Sequence, residues 1–558
     1  MAKYEIKDGV CIIPEGTEKV YVDADCCEAI KEVVIPSSVT EISNEAFRNC
    51  YHLEKVVIPN SVKKIGKEAF YECRELKELF IPDSVKEIGM EAFYNCKKLE
   101  KVRIPDSVKE IEYELFRECN SLTEVVFPAG ITTIGDSMFM HCGFTTLEIP
   151  DSVKIIEKDA FAFCENLQKI VLPEGLLVIG DNAFDGCHQL TEIVIPSSVL
   201  QIGSKAFDDS GLKQLQIPAS VKSIGKAITA GCEALTSIVV DEGNKYYDSR
   251  DNCNAIIEKE NWKLIAGCGT STIPDSVVTI AEEAFRKSSL TTITIPDSVK
   301  FIEEGAFRFS DKLVRVEIPG SVWVICQNTF GECKSLSEVI IGEGVTEIEK
   351  SAFWECPIKS IQLPSSLIKL SGFIGCPLTS ITIPEGVEVI GEDAFRNCKE
   401  LISVVIPSSV KRIFGGAFAG CSTLTSLVIS EGVAQIGGNN NWNESYSTFN
   451  GCSSLTSVVI PEGVNALGPK AFSDCTSLKE VTLPSTITWV GNALFSNCTN
   501  LKAIYCHVTD PTQIEMERGV ELGGHQATLY VPAGKGVVAA YKKKAVWKKF
   551  AAIKPMEE

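Results

Sequence analysis

The sequence predicts a repeat solenoid, a curved stack of about twenty coils, mostly β with short helical or irregular turns and with a parallel β-sheet on one face. Three observations predict it. A 23-residue phrase recurs almost unchanged, as "IPNSVKKIGKEAFYECRELKELF" at 58–80, "IPDSVKEIGMEAFYNCKKLEKVR" at 81–103 and "IPDSVKEIEYELFRECNSLTEVV" at 104–126. The proline of its "IP" pair returns at Pro36, Pro59, Pro82 and Pro105 and onward to Pro484, mostly 22 or 23 residues apart. Each unit carries apolar residues in strand alternation but too few to close a core alone, so copies must stack. A chain of 558 residues would otherwise divide into several globular domains. Growth along one axis removes that limit.

In chain order, residues 1–33 precede the regular units and are read as an N-terminal cap. Residues 34–504 form the solenoid and 505–558 a C-terminal capping module that covers the open apolar edge. Within one unit, Leu99, Val102 and Ile104 face inward while Lys101 and Arg103 alternate outward, as a half-exposed strand requires. Pro105 donates no ladder hydrogen bond and sits at the strand's end. "SVKEIG" reads as a second short strand or turn, its glycine a turn residue. "MEAFYNC" then places Ala92, Phe93 and Cys96 inward on one irregular or helical turn.

The stretch from Leu99 spells the "LxxLxLxx(N)xL" phrase of a leucine-rich repeat, with Ser107 in the usual Asn position. The full pattern, "IPxSVxxIGxxAFxxCxxLxxV", resembles the BspA-like leucine-rich repeat family of bacterial and protist surface proteins, from about Val34 to Ile504. The end, "ATLYVPAGKGVVAAYKKKAVWKKFAAI", resembles the terminal module of such proteins from gut bacteria. The resemblance implies a leucine-rich repeat fold and a non-catalytic binding or adhesion protein, secreted or at the cell surface. If the sequence as written is the complete gene product, the expectation is instead cytoplasmic, because "MAKYEIKDGVCIIPEG" has no basic stretch leading into an apolar one.

Composition narrows the function. Hydrophobic residues make up 45% of the chain, which excludes a mostly disordered polymer. The net charge of -20 argues against a general nucleic-acid binder and against adhesion to an anionic membrane. No apolar run reaches about 18 residues, so no transmembrane segment is expected.

The cysteines are the conspicuous chemistry. They stand fourteen residues after most anchors, at Cys50, Cys73, Cys96 and Cys119 through Cys498, and Ser210, Ser288 and Ser310 replace them in three copies. Exchange for serine means that a small residue with a weak donor suffices. The column is therefore read as buried free thiols, each bonding a neighbouring turn. Zinc would need paired ligands such as CxxC, and the adjacent Cys26 and Cys27 have no partner pair, so no metal is expected. Cys11, Cys26, Cys27, Cys253, Cys268, Cys326 and Cys506 are placed off the column. Cys253 and Cys268 bracket one insertion; they pair in an oxidising compartment, or else are two more packed thiols.

No catalytic constellation stands out. His52, His141, His188, His507 and His525 are scattered, and no phosphate-cradling or metalloprotease motif occurs. The outward strand positions read Glu32, Lys55, Glu78, Lys101 and Glu124, a self-neutralising ladder, and later Ser360, Ser380, Ser403, Ser426 and Ser457. A companion row is mostly Val, including Val34, Val57, Val126 and Val405, which makes a flat, mildly apolar face suited to protein.

Two interruptions break the pattern. Residues 240–269 read as a hairpin of "NAIIEK" and "WKLIAG", with Asp241, Asp248 and Asp251 as solvated turn acids rather than a calcium loop. Residues 437–452, "GGNNNWNESYSTFNGC", insert eight residues, and Asn439, Asn440, Asn441, Trp442 and Tyr446 give them a paratope-like composition. In "YKKKAVWKKF", Tyr541, Val546, Trp547 and Phe550 fall on helical spacing and are read as capping, with an anionic partner for the lysines as the minor alternative. The chain is thus expected to be a monomeric, cofactor-free scaffold for another protein, an adhesin or recognition protein. A cytoplasmic recognition protein and a metal or redox protein using the cysteine column are the alternatives.

Overall fold

A computed structural model describes residues 4–22, 24–109, 111–437, 447–516 and 520–557. The chain is a β-solenoid of about 23 turns with parallel sheets and little helix. The turns exceed the twenty expected because the terminal segments also coil: Val10–Ile12 pairs in parallel with Glu32–Val34, and Thr528–Val531 with Ala552–Pro555. The turns fall into two compact units, Met1–Ser271 with Lys287–Ser289, and Thr272–Arg286 with Leu290–Glu558.

Most coils make three ladders. The wide one is the predicted strand: Glu32–Val34, Lys55–Val57, Glu78–Phe80, Lys101–Arg103 and Glu124–Val126 pair in parallel in the first unit. The second is the short strand of "SVKEIG", as in Glu41–Ile42, Lys64–Ile65 and Glu87–Ile88. In the second unit this narrow ladder runs unbroken from Thr279–Ile280 to Trp489–Val490, while the wide one is divided among three sheets. Gly66 and Gly89 of this segment have no left-handed φ. A Cβ on Gly89 would fall 2.5 Å from Lys67 N. Close approach of neighbouring coils, not turn conformation, therefore demands these glycines.

The third ladder lies in "EAFYNC", which is irregular rather than helical. Alternate residues do different work. Ala46, Arg48 and Cys50 N–H groups turn back to Ser43, Glu45 and Phe47 carbonyls three residues earlier, at 3.3, 3.1 and 3.2 Å. Glu45, Phe47 and Asn49 donate instead to Lys67, Ala69 and Tyr71 of the next coil, at 2.8, 2.7 and 2.8 Å. The alternation needs left-handed residues at Glu45 (φ 57°) and Asn49 (φ 62°), and it recurs at Glu68 and Glu72 and at Glu91 and Asn95. Such a conformation costs a non-glycine residue roughly 1 kcal/mol, offset by a hydrogen bond of similar worth. Phe47, Phe70, Phe93 and Phe116 are thereby held in one fully buried column, their rings stacked at 5.1, 5.5 and 5.5 Å.

The cysteines run beside that column. Each thiol donates to the Phe carbonyl of the preceding coil: Cys73 to Phe47 at 3.3 Å, Cys119 to Phe93 at 3.2 Å and Cys421 to Phe395 at 3.1 Å. That carbonyl already holds one N–H of its own turn, so the sulfur fills its second lone pair. Ser310 makes the same bond to Phe285 O at 2.8 Å, which explains the exchange of Cys for Ser. One expectation is corrected. Cys27 stands 23 residues before Cys50, so it is the column's first rung, and the two form a disulfide. The Phe acceptors begin only at Phe47; the coil before Cys50 carries no Phe, and the neighbour of Cys50 in the column is a second sulfur.

The continuous ring column implies that Phe93→Ala is a fold lesion. Truncating one buried Phe should cost about 3–5 kcal/mol, felt first as fraying between the flanking coils. Hydrogen exchange mapped by coil checks it: protection should fall around residues 70–116, and unchanged protection there contradicts the stacking. The thiols give a second expectation. On denatured, unreduced protein, alkylation should label Cys73 and the later column cysteines but spare Cys27 and Cys50. Blocked sulfur at most other rungs, or stoichiometric zinc, would overturn the assignment.

Candidate functional site

The outward rows of the wide sheet fall in the register that the sequence spacing requires. Glu32 opposes Lys55, and Lys101 opposes both Glu78 and Glu124. Lys55 Nζ lies 3.0 Å from Glu32, and Lys101 Nζ lies 2.6 Å from Glu124. These exposed pairs contribute little each, and they cancel most of the row's charge. Beside them Val57 and Phe80 are about 60% exposed, at 60% and 62%. Ser380, Ser403 and Ser426 oppose one another in the second unit, next to exposed Val405 and Val428.

The cysteine column offers no reactive centre to this face. Burial pushes the thiols of Cys164, Cys232 and Cys421 up to about 12, so they stay protonated at neutral pH and are poor nucleophiles and ligands. Cys253 and Cys268 are free: Cys253 lies 3.8 Å from Ala255 O and Cys268 3.5 Å from Asn254 O.

The 240–269 segment is a hairpin. Ile256–Glu258 pairs antiparallel with Lys263–Ala266, and Tyr247–Asp248 adds a third strand. Two of its acids are engaged. Asp248 binds the Arg250 guanidinium, which sits 4.2 Å from the Trp262 ring centroid, and Asp241 accepts from Gly243 N at 2.8 Å. Its organising residue, Asn244, carries no signal in the sequence. Buried, it donates to Pro218 O at 2.9 Å and Val221 O at 3.0 Å while accepting from the Tyr246 and Tyr247 N–H groups. Asp185, Asp208 and Asp209 also converge, with oxygens within 4.8 Å of one another. Lys287 lies 2.5 Å from Asp209 and Lys205 3.8 Å from Asp208, so the group is an ion-pair network.

Trp442, Tyr446, Asn439, Asn440 and Asn441 lie outside the described residues. The coil that carries them is anchored on both sides. Gly437 N donates to Ile413 O at 2.7 Å, and Thr448 O accepts from Phe418 N at 2.8 Å. Cys452 still reaches Phe418 O at 3.3 Å across 34 residues, against 26 for Cys421 to Phe395. The excess of eight thus leaves the column undisturbed. At the C-terminal end Tyr541, Trp547 and Phe550 are buried, and the Tyr541 hydroxyl donates to Val508 O at 2.8 Å. The helix Val537–Lys543 stops before Trp547, so the four apolar residues do not share one helix. Lys542, Lys543, Lys544, Lys548 and Lys549 face solvent.

One feature of the face is illegible in the sequence. A groove of about 500 Å³ opens in the first unit beside residues 192–195, whose phrase "EIVI" is as regular as any other. Glu174, Val194, Gln214, Gln216, Val239 and Asp241 line its outer part.

Comparison with known proteins identifies the repeat. The model of the BspA type leucine rich repeat region matches residues 21–145, 132–256, 255–372, 368–445 and 443–516. No curated protein matches the chain. Among solved structures, a leucine-rich repeat protein from Bacteroides ovatus is 23% identical, with a TM-score of 0.33, over 82% of this chain and 90% of its own. A leucine rich cell surface protein from Faecalibacterium prausnitzii is 25% identical, with a TM-score of 0.32, over 80% and 95%. The pneumococcal vaccine antigen PcpA is 15% identical, with a TM-score of 0.32, over 99% and 96%. No helix among the described residues is long and apolar enough to cross a membrane. A family match spanning residues 21–516, on coils built from the same Pro, Phe and Cys positions, shows that this chain belongs to the BspA-type leucine-rich repeat family.

Proposed function

We propose that the protein is a non-catalytic recognition scaffold that binds another protein, acting at a cell surface as an adhesin or host-recognition protein. The observation that carries this reading is the division of labour within the coil. Its Phe rings, thiols and turn amides are committed to stacking, while its outer face presents flat rows of Val, Ser and paired charge. Such a surface has area for a macromolecule. Family membership supports the same conclusion.

Recognition is assigned to the place where the repeat is broken. Regular coils spend their side chains on their neighbours, whereas an insertion does not have to. Trp442 and Tyr446 supply two aromatic anchors, the residue types enriched at binding hot spots. Asn439, Asn440 and Asn441 supply adaptable hydrogen bonding beside them.

The double change Trp442→Ala and Tyr446→Ala tests the assignment. It should leave the melting temperature nearly unaltered while weakening capture of the partner from the protein's native environment at least about tenfold, or about 1.4 kcal/mol. A large fall in melting temperature would show that these rings serve the fold. Undiminished capture by a stable variant would move the site elsewhere on the surface.

A further inference from the structure

Residues 522–556 carry seven lysines and no acidic residue, in a chain whose net charge is -20. Along the solenoid a lysine is commonly met by a neighbour. Lys55, Lys101 and Lys369 lie 3.0, 2.6 and 3.1 Å from a glutamate of an adjacent coil. In the terminal segment Lys549 is met in this way, by Glu521 at 2.5 Å. Among the described residues, Lys542, Lys543, Lys544 and Lys548 form no ion pair, and all four are exposed. Asp510 is committed elsewhere: its carboxylate accepts from the Thr512 N–H at 2.9 Å and the Thr512 hydroxyl at 2.7 Å. These bonds, ahead of the charge of Lys544, hold it below the usual carboxylate range.

The segment is pinned from the inside. Tyr541, Trp547 and Phe550 are buried, with ring centroids 5.4 Å apart for Tyr541 and Trp547 and 6.1 Å apart for Trp547 and Phe550. The four lysines alternate with these rings and are turned outward, on backbone that belongs to the last coil and not to a loose tail. The carbonyl end of the helix Val537–Lys543 favours a cation in its last turn. One lysine answers that partial charge, and the segment supplies four.

What the patch lacks narrows its ligand. Among the described residues, no large hydrophobic side chain beyond Val459 is exposed. A protein interface is centred on apolar or aromatic anchors and is poor in lysine. A lipid surface is held by inserted apolar side chains as well as by charge. A single-stranded nucleic acid stacks its bases on exposed aromatic rings, and here the three rings face inward. Charge alone remains, spread over four points with no pocket between them to enclose a small anion.

We propose that Lys542, Lys543, Lys544 and Lys548 form a docking platform for a flexible linear polyanion, a polymer with an anionic group on every repeat unit, as a phosphate polymer has. Successive ammonium groups meet successive anions, and the counterions set free supply the affinity. The acidic remainder of the chain repels the same polymer and confines it to this segment. The proposal does not rest on protein recognition by the 437–452 insertion, which it leaves free for another partner.

The probe is end-labelled long-chain inorganic polyphosphate, followed by fluorescence anisotropy with the full-length chain. It should bind, and its affinity should fall steeply as salt rises. Orthophosphate at the same phosphate concentration should not compete. Changing the four lysines together, as Lys542→Gln, Lys543→Gln, Lys544→Gln and Lys548→Gln, should weaken binding at least about tenfold at low salt and flatten the salt dependence. The same four positions changed to Arg should keep the affinity, which separates charge from fold. Trp442→Ala with Tyr446→Ala should leave polymer binding unchanged, which separates this site from the insertion. Oligothymidylate of matched charge and vesicles containing phosphatidylserine should bind no more tightly than polyphosphate. No binding of polyphosphate, full affinity in the Gln variant, lost affinity in the Arg variant or the Trp442 and Tyr446 variant, or competition by orthophosphate would overturn the proposal. Tighter binding of oligothymidylate or of the vesicles would overturn it in favour of a nucleic acid or a membrane.

Discussion

The spacing between neighbouring coils is set by the reach of a backbone hydrogen bond, and the rest of the structure is adjusted to it. Three ladders hold most coils to the next, at the wide strand, the narrow strand and the left-handed turn. At that separation aromatic rings on successive coils fall into stacking contact, as Phe47, Phe70 and Phe93 do at 5.1 and 5.5 Å. The same separation excludes a side chain at Gly89. It also brings a thiol within reach of the carbonyl one coil back, as Cys96 reaches Phe70 at 3.4 Å. Sulfur suits this place because it is apolar enough to be buried and still donates weakly.

The turn carries the conformational expense of the arrangement. Glu45, Glu68 and Glu91 hold left-handed backbones that a glycine would adopt more easily. Later coils do use glycine at the same place, at Gly305 and Gly416. What the non-glycine residues gain is a side chain that ties neighbouring coils, as Asn95 Nδ2 donates to Glu72 Oε1 at 2.8 Å. Arg48 lies over the Tyr71 ring at 4.6 Å, and Tyr71 stacks on Tyr94 at 4.6 Å, so the exterior is also braced from coil to coil.

Much of this was legible in the sequence because a repeat states its own rules many times. The strand, the inward Phe and Cys, and the alternating Glu and Lys of the outer row all follow from spacing and period. The 240–269 hairpin follows from its two apolar runs. The turn was less legible. Alternating donation to the same coil and to the next is a property of backbone angles, and "EAFYNC" is equally compatible with a helical turn. Cys27 was missed as a rung because its coil lacks the Phe that marks the others and sets it thirteen, not fourteen, residues after Pro14. Asn244 and the opening at 192–195 left no trace, since one asparagine or one unpaired strand looks ordinary in a row of letters. The candidate loop around Trp442 was read from composition alone, and it lies outside the described residues.

Because Cys73, Cys96 and Cys119 each find an equivalent acceptor one unit earlier, any coil can in principle follow any other. Unequal recombination that removes or duplicates one whole unit would therefore join matching donors to matching acceptors, and chain length becomes an easy variable for evolution. The same interchangeability is a hazard during folding, since a coil that skips its neighbour meets a partner almost as good. The Cys27–Cys50 bridge ties the first rung to the second and so marks one end of an otherwise self-similar column. A growing stack that starts from that marked end has its count fixed before the ambiguous middle is reached.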